Sequence, residues 1–128
     1  MIDRLSSRQC RKDGLEMKIN EFFKATYKLA CGIYQETRPR IYCKDGFNMS
    51  VQAGNAIYCE PRTNLETGYS SAEIGFPSEE EPLINKYAEN PNDYTETVYG
   101  YVPCELIDEV IEKHGGIDEE KTFERIGK

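Results

Sequence analysis

The sequence predicts a single α+β domain of 128 residues, an antiparallel sheet of four to five short strands with two to three packed helices. Three observations carry this. Short strand-like runs recur between Ile41 and Val102, each bounded by Gly, Pro or Asn at a turn. Stretches with helical apolar spacing lie on either side of them, around Phe22 and Ile107. The length suffices for one closed core and leaves a large exposed surface.

The elements follow in chain order. Residues 1–16 read as a polar extension and residues 17–128 as the ligand-binding domain, because Met17 opens a more ordinary beginning, MKINEFFKATYKL. Asp13 and Glu16 have the spacing of a helix cap. Ile19, Phe22, Phe23, Thr26 and Ala30 share one helical face, so a helix is expected from about Leu15 to Ile33. Arg38-Pro39 ends that element, and Ile41 to Cys43 reads as a strand. Lys44-Asp45-Gly46 is a hairpin turn, since Asp-Gly supplies the positive φ it needs. Phe47, Met49, Val51 and Ala53 alternate with polar residues, the period of a half-buried strand. Gly54-Asn55 turns the chain, and Ala56 to Cys59 reads as a third strand.

After a loop at 63–68, Tyr69 to Phe76 reads as a fourth strand. Ser78 and Glu81 then form a capping-box pattern for a helix reaching about Ala88. Its first turn is filled with carboxylates, which makes it a poor anion site. Asn90 to Asp93 is a turn. Thr97 to Val102 is a fifth strand expected to carry Tyr99 and Tyr101 on one face, with Gly100 between them. Pro103 suits the first position of a helix whose stripe is Leu106, Ile107, Val110 and Ile111. Gly115 ends it as a left-handed cap.

Charge divides unevenly. Residues 1–44 carry ten Lys/Arg against five Asp/Glu, and residues 45–128 carry six against eighteen. An acidic C-terminal two-thirds argues against DNA or RNA binding, which needs a basic stripe. No run reaches membrane-spanning length, and the N-terminus lacks the apolar core of a secretory signal, so a cytoplasmic protein is expected. Five cysteines without a C-x-x-C pair, and one histidine, predict neither a zinc site nor a disulfide framework. Cys43, Cys59 and Cys104 read as small core residues. His114 lies in a KHGG helix ending, where it complements the helix dipole.

The catalytic sets are missing. The sequence has no Walker loop, no G-x-G-x-x-G, no G-x-S-x-G and no H-E-x-x-H. A pocket-facing Glu73 could act as a general base, but the sequence offers it no acid–base partner. No enzyme, cofactor or metal is therefore expected.

Binding is better supported. The chain has nine Tyr, five Phe and no Trp. Phe22, Phe23 and Phe47 fit the core. Tyr69, Phe76, Tyr87, Tyr94, Tyr99 and Tyr101 lie beside loops and polar groups. Flat rings next to amides and an arginine suit a purine nucleotide: a ring stacks on the base, amides read its edge, and a guanidinium grips phosphate. Between Asp45 and Glu112 only Arg62 and Lys86 are basic, so the residues able to hold a phosphate are few. Arg62 could equally form an exposed salt bridge with Glu60 or Glu66.

The order "IYCKDGFNMSVQAG", "YCEPR", "EIGFPSEEEPLINKYAENP" and "TVYGYVPCELIDEVIEKHGG", over residues 38–116, resembles the first-described phage Thoeris anti-defence sponge family. The resemblance implies a non-enzymatic protein of the host cytoplasm. It would bind and sequester a glycocyclic ADP-ribose isomer, the signal of a bacterial TIR-domain protein, and starve the downstream effector. It also implies homodimers with ligand pockets between subunits, assembling into hexamers; some members bind cyclic oligonucleotide signals at separate sites. Joined to the residue reading, it assigns Phe76 to adenine stacking, Arg62 to the pyrophosphate and Asn92 to the ribose or base edge. Tyr99 and Tyr101 are expected as pocket walls, with Gln52, Ser50 and Tyr69 as further contacts. Two other classes compete: an acidic protein–protein inhibitor of a host defence complex, and a nucleotide-signal hydrolase using Glu73.

Overall fold

A computed structural model describes residues 16–33 and 35–124. A four-stranded antiparallel sheet has the order β1-β2-β3-β4, with β1 Ile41–Tyr42, β2 Asn48–Gln52, β3 Ser71–Gly75 and β4 Val98–Pro103. The helices are α1 Ile19–Ala25, α2 Tyr27–Cys31, a 3-10 helix at Pro82–Tyr87, α3 Cys104–Lys113 and α4 Glu119–Thr122. This is the α+β class the alternation predicts.

The sheet is two-sided. Its inner face is apolar, with Met49 and Val51 from β2, Ile74 from β3, and Tyr99 and Val102 from β4, all fully buried. Ile19, Phe22 and Phe23 of α1 and Ile107, Val110 and Ile111 of α3 complete the core. Each such side chain contributes roughly 1.5–3 kcal/mol when removed from water. Asn48, Ser50 and Gln52 alternate with the buried residues of β2 and face the other way, half-buried. Both sheet edges are covered, which blocks strand addition. On β1, Cys43 bridges Ile117 and the Asp118 amide donates to the Tyr42 carbonyl at 2.7 Å. On β4, Ala88 bridges Tyr99 and the Tyr101 amide donates to the Tyr58 carbonyl at 3.0 Å.

Four expectations change. The long first helix is two short ones, broken at Thr26. The Thr26 hydroxyl donates back to the Phe22 carbonyl at 2.8 Å, and the Arg38 guanidinium takes the Phe23 carbonyl that would have continued the ladder. The Asp13 half of the proposed cap lies outside the described residues, as does the extension apart from Glu16, which pairs with Lys44 at 3.1 Å. Instead Lys18 caps α1, and Glu21 accepts its amide at 2.8 Å.

The strand expected at Ala56–Cys59 is a run of turns. Ala56 is left-handed at φ 62°, and the Cys59 amide closes onto the Ile57 carbonyl at 2.8 Å. The helix expected from Ser78 starts later, as a 3-10 turn at Pro82, whose ring is tolerated only at a first turn. Its cap is Glu81, which accepts the Leu83 amide at 3.0 Å, while Ser78 bonds to Asn48. Tyr99 and Tyr101 do not share a face, because the β3–β4 register shifts between them. The 43–47 hairpin turn and the left-handed Gly115 stand as expected.

Candidate functional site

The candidate site grows from one irregularity. Along β3, Ala72 pairs with Val102 and Ile74 with Tyr99. One residue of β3, Glu73, therefore faces two of β4, Gly100 and Tyr101. This is a β-bulge, and it turns the strand's side chains off their period of two. Tyr101 takes up the extra residue with φ 57° and stands out to solvent, 41% exposed, whereas Tyr99 is fully buried. Non-glycine residues rarely adopt such a φ, and those that do concentrate at functional sites.

Tyr58 leans across the bulge. Its ring stacks on Tyr101 with centroids 5.8 Å apart and planes at 28°. The Arg62 guanidinium lies 5.2 Å from the Tyr58 ring centroid, its Nε–H donating to the Ile57 carbonyl at 3.0 Å. Arg62 thus anchors on the backbone and on a ring, with no ion pair to Glu60 or Glu66 among the described residues. Gly100 makes this possible: a Cβ there would sit 3.2 Å from the Tyr58 Cβ and 3.5 Å from its Cδ2. The result is an exposed ladder of Arg62, Tyr58 and Tyr101, aromatic surface with a cation beside it.

A cleft of about 200 Å³ adjoins the ladder through Ile57. Its polar lining combines the amides of Gln35, Gln52, Asn55 and Asn64 with Glu36 and Thr37. Gln52 is held firmly: its side-chain carbonyl accepts the Arg38 amide at 3.1 Å, and its NH₂ donates to the Arg38 carbonyl at 3.2 Å and to the Ser50 hydroxyl at 3.0 Å. Glu73, opposite Gln52 on β3, accepts the Tyr58 amide at 3.4 Å. A second cleft, of about 230 Å³, lies away from the ladder, between the start of α1 and α3, and is lined by Glu16, Lys18, Asp108 and Glu112. It has no aromatic wall.

The sequence-predicted residues separate. Tyr101 and Arg62 meet through Tyr58. Gln52 and Ser50 lie on the same outer sheet face. Phe76 is 47% exposed with φ 48°, but it stands at the far end of β3, where Arg40 Nη2 donates to its carbonyl at 2.6 Å. At about 3.3 Å per residue, it is some 10 Å from the bulge along the strand. Asn92 sits in an exposed turn after the 3-10 helix, its amide donating to Asn90 at 3.0 Å. Tyr69 and Tyr99 belong to the core. The Tyr69 hydroxyl donates to the Thr63 carbonyl at 2.7 Å, and that of Tyr99 to the Tyr94 carbonyl. Burial pushes the Tyr99 phenol up to about 12. Tyr58 was missed because its segment reads as a strand; the available signal was Gly100, since a glycine inside a strand marks a bulge or a close approach.

His114 gains a second role. It caps α3, but it is also clamped between carboxylates, Nδ1 to Asp45 and Nε2 to Glu81, both at 2.7 Å, and its ring stacks on Phe47 at 4.1 Å. Lys113 adds a 2.8 Å bond to Glu81. Burial alone would lower the imidazole pKa, but the bonds to Glu81 and Asp45 outweigh it and raise it. Burial would likewise raise Glu81, yet Lys113, the Leu83 amide and His114 hold it low. The Phe47 amide and His114 hold Asp45 low. The cluster ties the end of α3 to the hairpin turn and to the 3-10 helix. Burial pushes the Cys43 and Cys104 thiols up to about 12, so they stay protonated at neutral pH. No His, Cys, Asp and Glu group able to hold a metal occurs among the described residues, nor any helix long and apolar enough to cross a membrane.

No protein-family model, curated protein or solved structure matches this chain.

Proposed function

We propose that the chain binds a cyclic ADP-ribose isomer and holds it without reaction, as an anti-defence sponge in a phage-infected cell's cytoplasm. The observation that carries this is the exposed Arg62–Tyr58–Tyr101 ladder beside a polar, amide-rich cleft. A base stacks on such a ring at roughly 1–3 kcal/mol, and the guanidinium takes a phosphate. The family resemblance over residues 38–116 supplies the ligand class. The cleft, about 200 Å³, is smaller than the roughly 300–1,000 Å³ of pockets that enclose drug-sized ligands. A dinucleotide-sized ligand therefore calls for further walls, which a second copy of the chain would provide; a homodimer, built up to a hexamer, fits this reading.

Isothermal titration with cyclic ADP-ribose isomers tests it. Saturable binding at micromolar concentration or below, about −8 kcal/mol, is the expected result, with intact ligand recovered after heat denaturation. Absence of binding contradicts the proposal, and recovery of a degraded product makes the protein an enzyme. One observation favours a second reading, an acidic inhibitor of a host protein: α3 exposes Glu105, Glu109 and Glu112 together. That reading expects salt-sensitive capture of a basic protein and no nucleotide affinity.

A further inference from the structure

We infer that Glu73 is the specificity-determining residue of the ladder site, selecting ligands that present a hydrogen-bond donor to it. The inference rests on the nucleotide-binding reading above and adds the polarity of the site. Glu73 projects from β3 at the bulge, across from Gln52 on one side and from Gly100 and Tyr101 on the other. It is half-buried. The one hydrogen bond of its side chain among the described residues is the long 3.4 Å contact from the Tyr58 amide, and no cation pairs with it there. Arg62, the nearest cation in the ladder, is turned to the Ile57 carbonyl and the Tyr58 ring.

A carboxylate offers two oxygens and about four acceptor sites, and it donates nothing. The long contact from the Tyr58 amide uses little of that capacity, and the rest is left for a ligand at the ring pair. Glu73 therefore favours a ring that carries hydroxyl or amine donors along its near edge. It repels phosphate from the same place. Arg62, held against the Tyr58 ring and the Ile57 carbonyl, attracts phosphate. The two charges orient a nucleotide on the platform: donors toward Glu73, phosphates toward Arg62. The donor is either a ribose hydroxyl or the exocyclic amine of adenine, and one experiment separates them.

Titrate wild type, Glu73→Gln and Glu73→Ala with cyclic ADP-ribose, with its deoxyribose analogue and with its inosine analogue, which lacks the amine. Circular dichroism checks that each variant is folded. Glu73→Gln should weaken cyclic ADP-ribose by about ten- to a hundredfold, the scale of a hydrogen bond to a charged group. Wild type should lose a similar factor with the analogue that lacks the donor, and the Glu73 variants should lose little more with that analogue, because both changes delete one contact. Loss with the deoxyribose analogue assigns the ribose hydroxyl, and loss with the inosine analogue assigns the amine. Wild-type binding with Glu73→Gln unchanged within about twofold, or losses that simply add, overturns the inference and leaves the nucleotide-binding reading standing. No binding by wild type overturns both.

Discussion

Replacing Arg38 should cost more stability than any other single charge in this protein. Its side chain is 2% exposed, yet no carboxylate among the described residues pairs with it. Nη1 donates to the Phe23 carbonyl at 2.9 Å and to the Thr26 hydroxyl at 2.7 Å, and Nη2 donates to the Ala53 carbonyl at 3.1 Å. The guanidinium also lies 4.9 Å from the Phe23 ring centroid. The compensation for its charge is the negative end of α1, where it meets the Phe23 carbonyl, within a set of three charge-assisted hydrogen bonds. Burial lowers its pKa, but an arginine stays protonated.

Arg38→Ala opens a cavity and leaves two buried carbonyls without this donor. Each unsatisfied group costs about 1–3 kcal/mol, and the total should reach about 3–5 kcal/mol. Arg38→Met fills the volume and removes the buried charge, so it should cost less than Ala, about 2–3 kcal/mol. Arg38→Lys keeps the charge but cannot reach both walls with one ammonium. Against a total stability of roughly 5–15 kcal/mol these losses are large. Urea unfolding reads them: at a slope near 1–3 kcal/mol per molar, Arg38→Ala should lower the midpoint by about 2 M with the slope unchanged. A loss under about 1 kcal/mol would refute the reasoning, because the site would then hold its carbonyls satisfied without the guanidinium.

Two further predictions follow from the clusters. The raised pKa of His114 stabilises the fold fully below its ordinary 6.5 and is lost as pH rises through the raised value; the lowered Asp45 and Glu81 stabilise above their ordinary 3.8 and 4.5 and are lost as pH falls through the lowered values. The cluster therefore contributes most between about pH 4.5 and 6.5, and the melting temperature of His114→Gln should lag wild type more at pH 5.5 than at pH 9, an equal lag at both ruling this out. Gly100→Ala puts a Cβ 3.2 Å from that of Tyr58, which is fixed through the carbonyl that binds Tyr101, so the ring pair should separate; a crystal structure of the variant with the Tyr58–Tyr101 centroid distance still at 5.8 Å would contradict it.

Much of the fold was legible because it depends on local period. Met49 and Val51 alternate with Asn48, Ser50 and Gln52, and the pattern fixes which face of β2 is buried. The apolar stripe of α3 likewise names its core residues, with Ile107, Val110 and Ile111 inside. What escaped depends on partners far along the chain. Thr26 breaks the first helix because Arg38 reaches it, and Arg38-Pro39 reads locally as a loop start. His114 meets Asp45 across 69 residues and Glu81 across 33, which no local pattern announces. The bulge reversed the expectation for Tyr101 and Tyr99 because one inserted residue moves every later side chain to the opposite face. Two of the three ladder residues, Arg62 and Tyr101, were legible from residue type. Tyr58 was not, because the turn that places it is built on a left-handed Ala56 rather than on glycine.

The most direct measurement is the NMR spectrum of the tyrosine rings and the Arg62 Nε–H during titration with cyclic ADP-ribose. Ring-current shifts that saturate with ligand and centre on Tyr58, Tyr101 and Arg62 are expected, with the buried Tyr69 and Tyr99 rings little moved. Saturating shifts elsewhere that leave those three residues unmoved would contradict the assignment of the ladder as the binding surface.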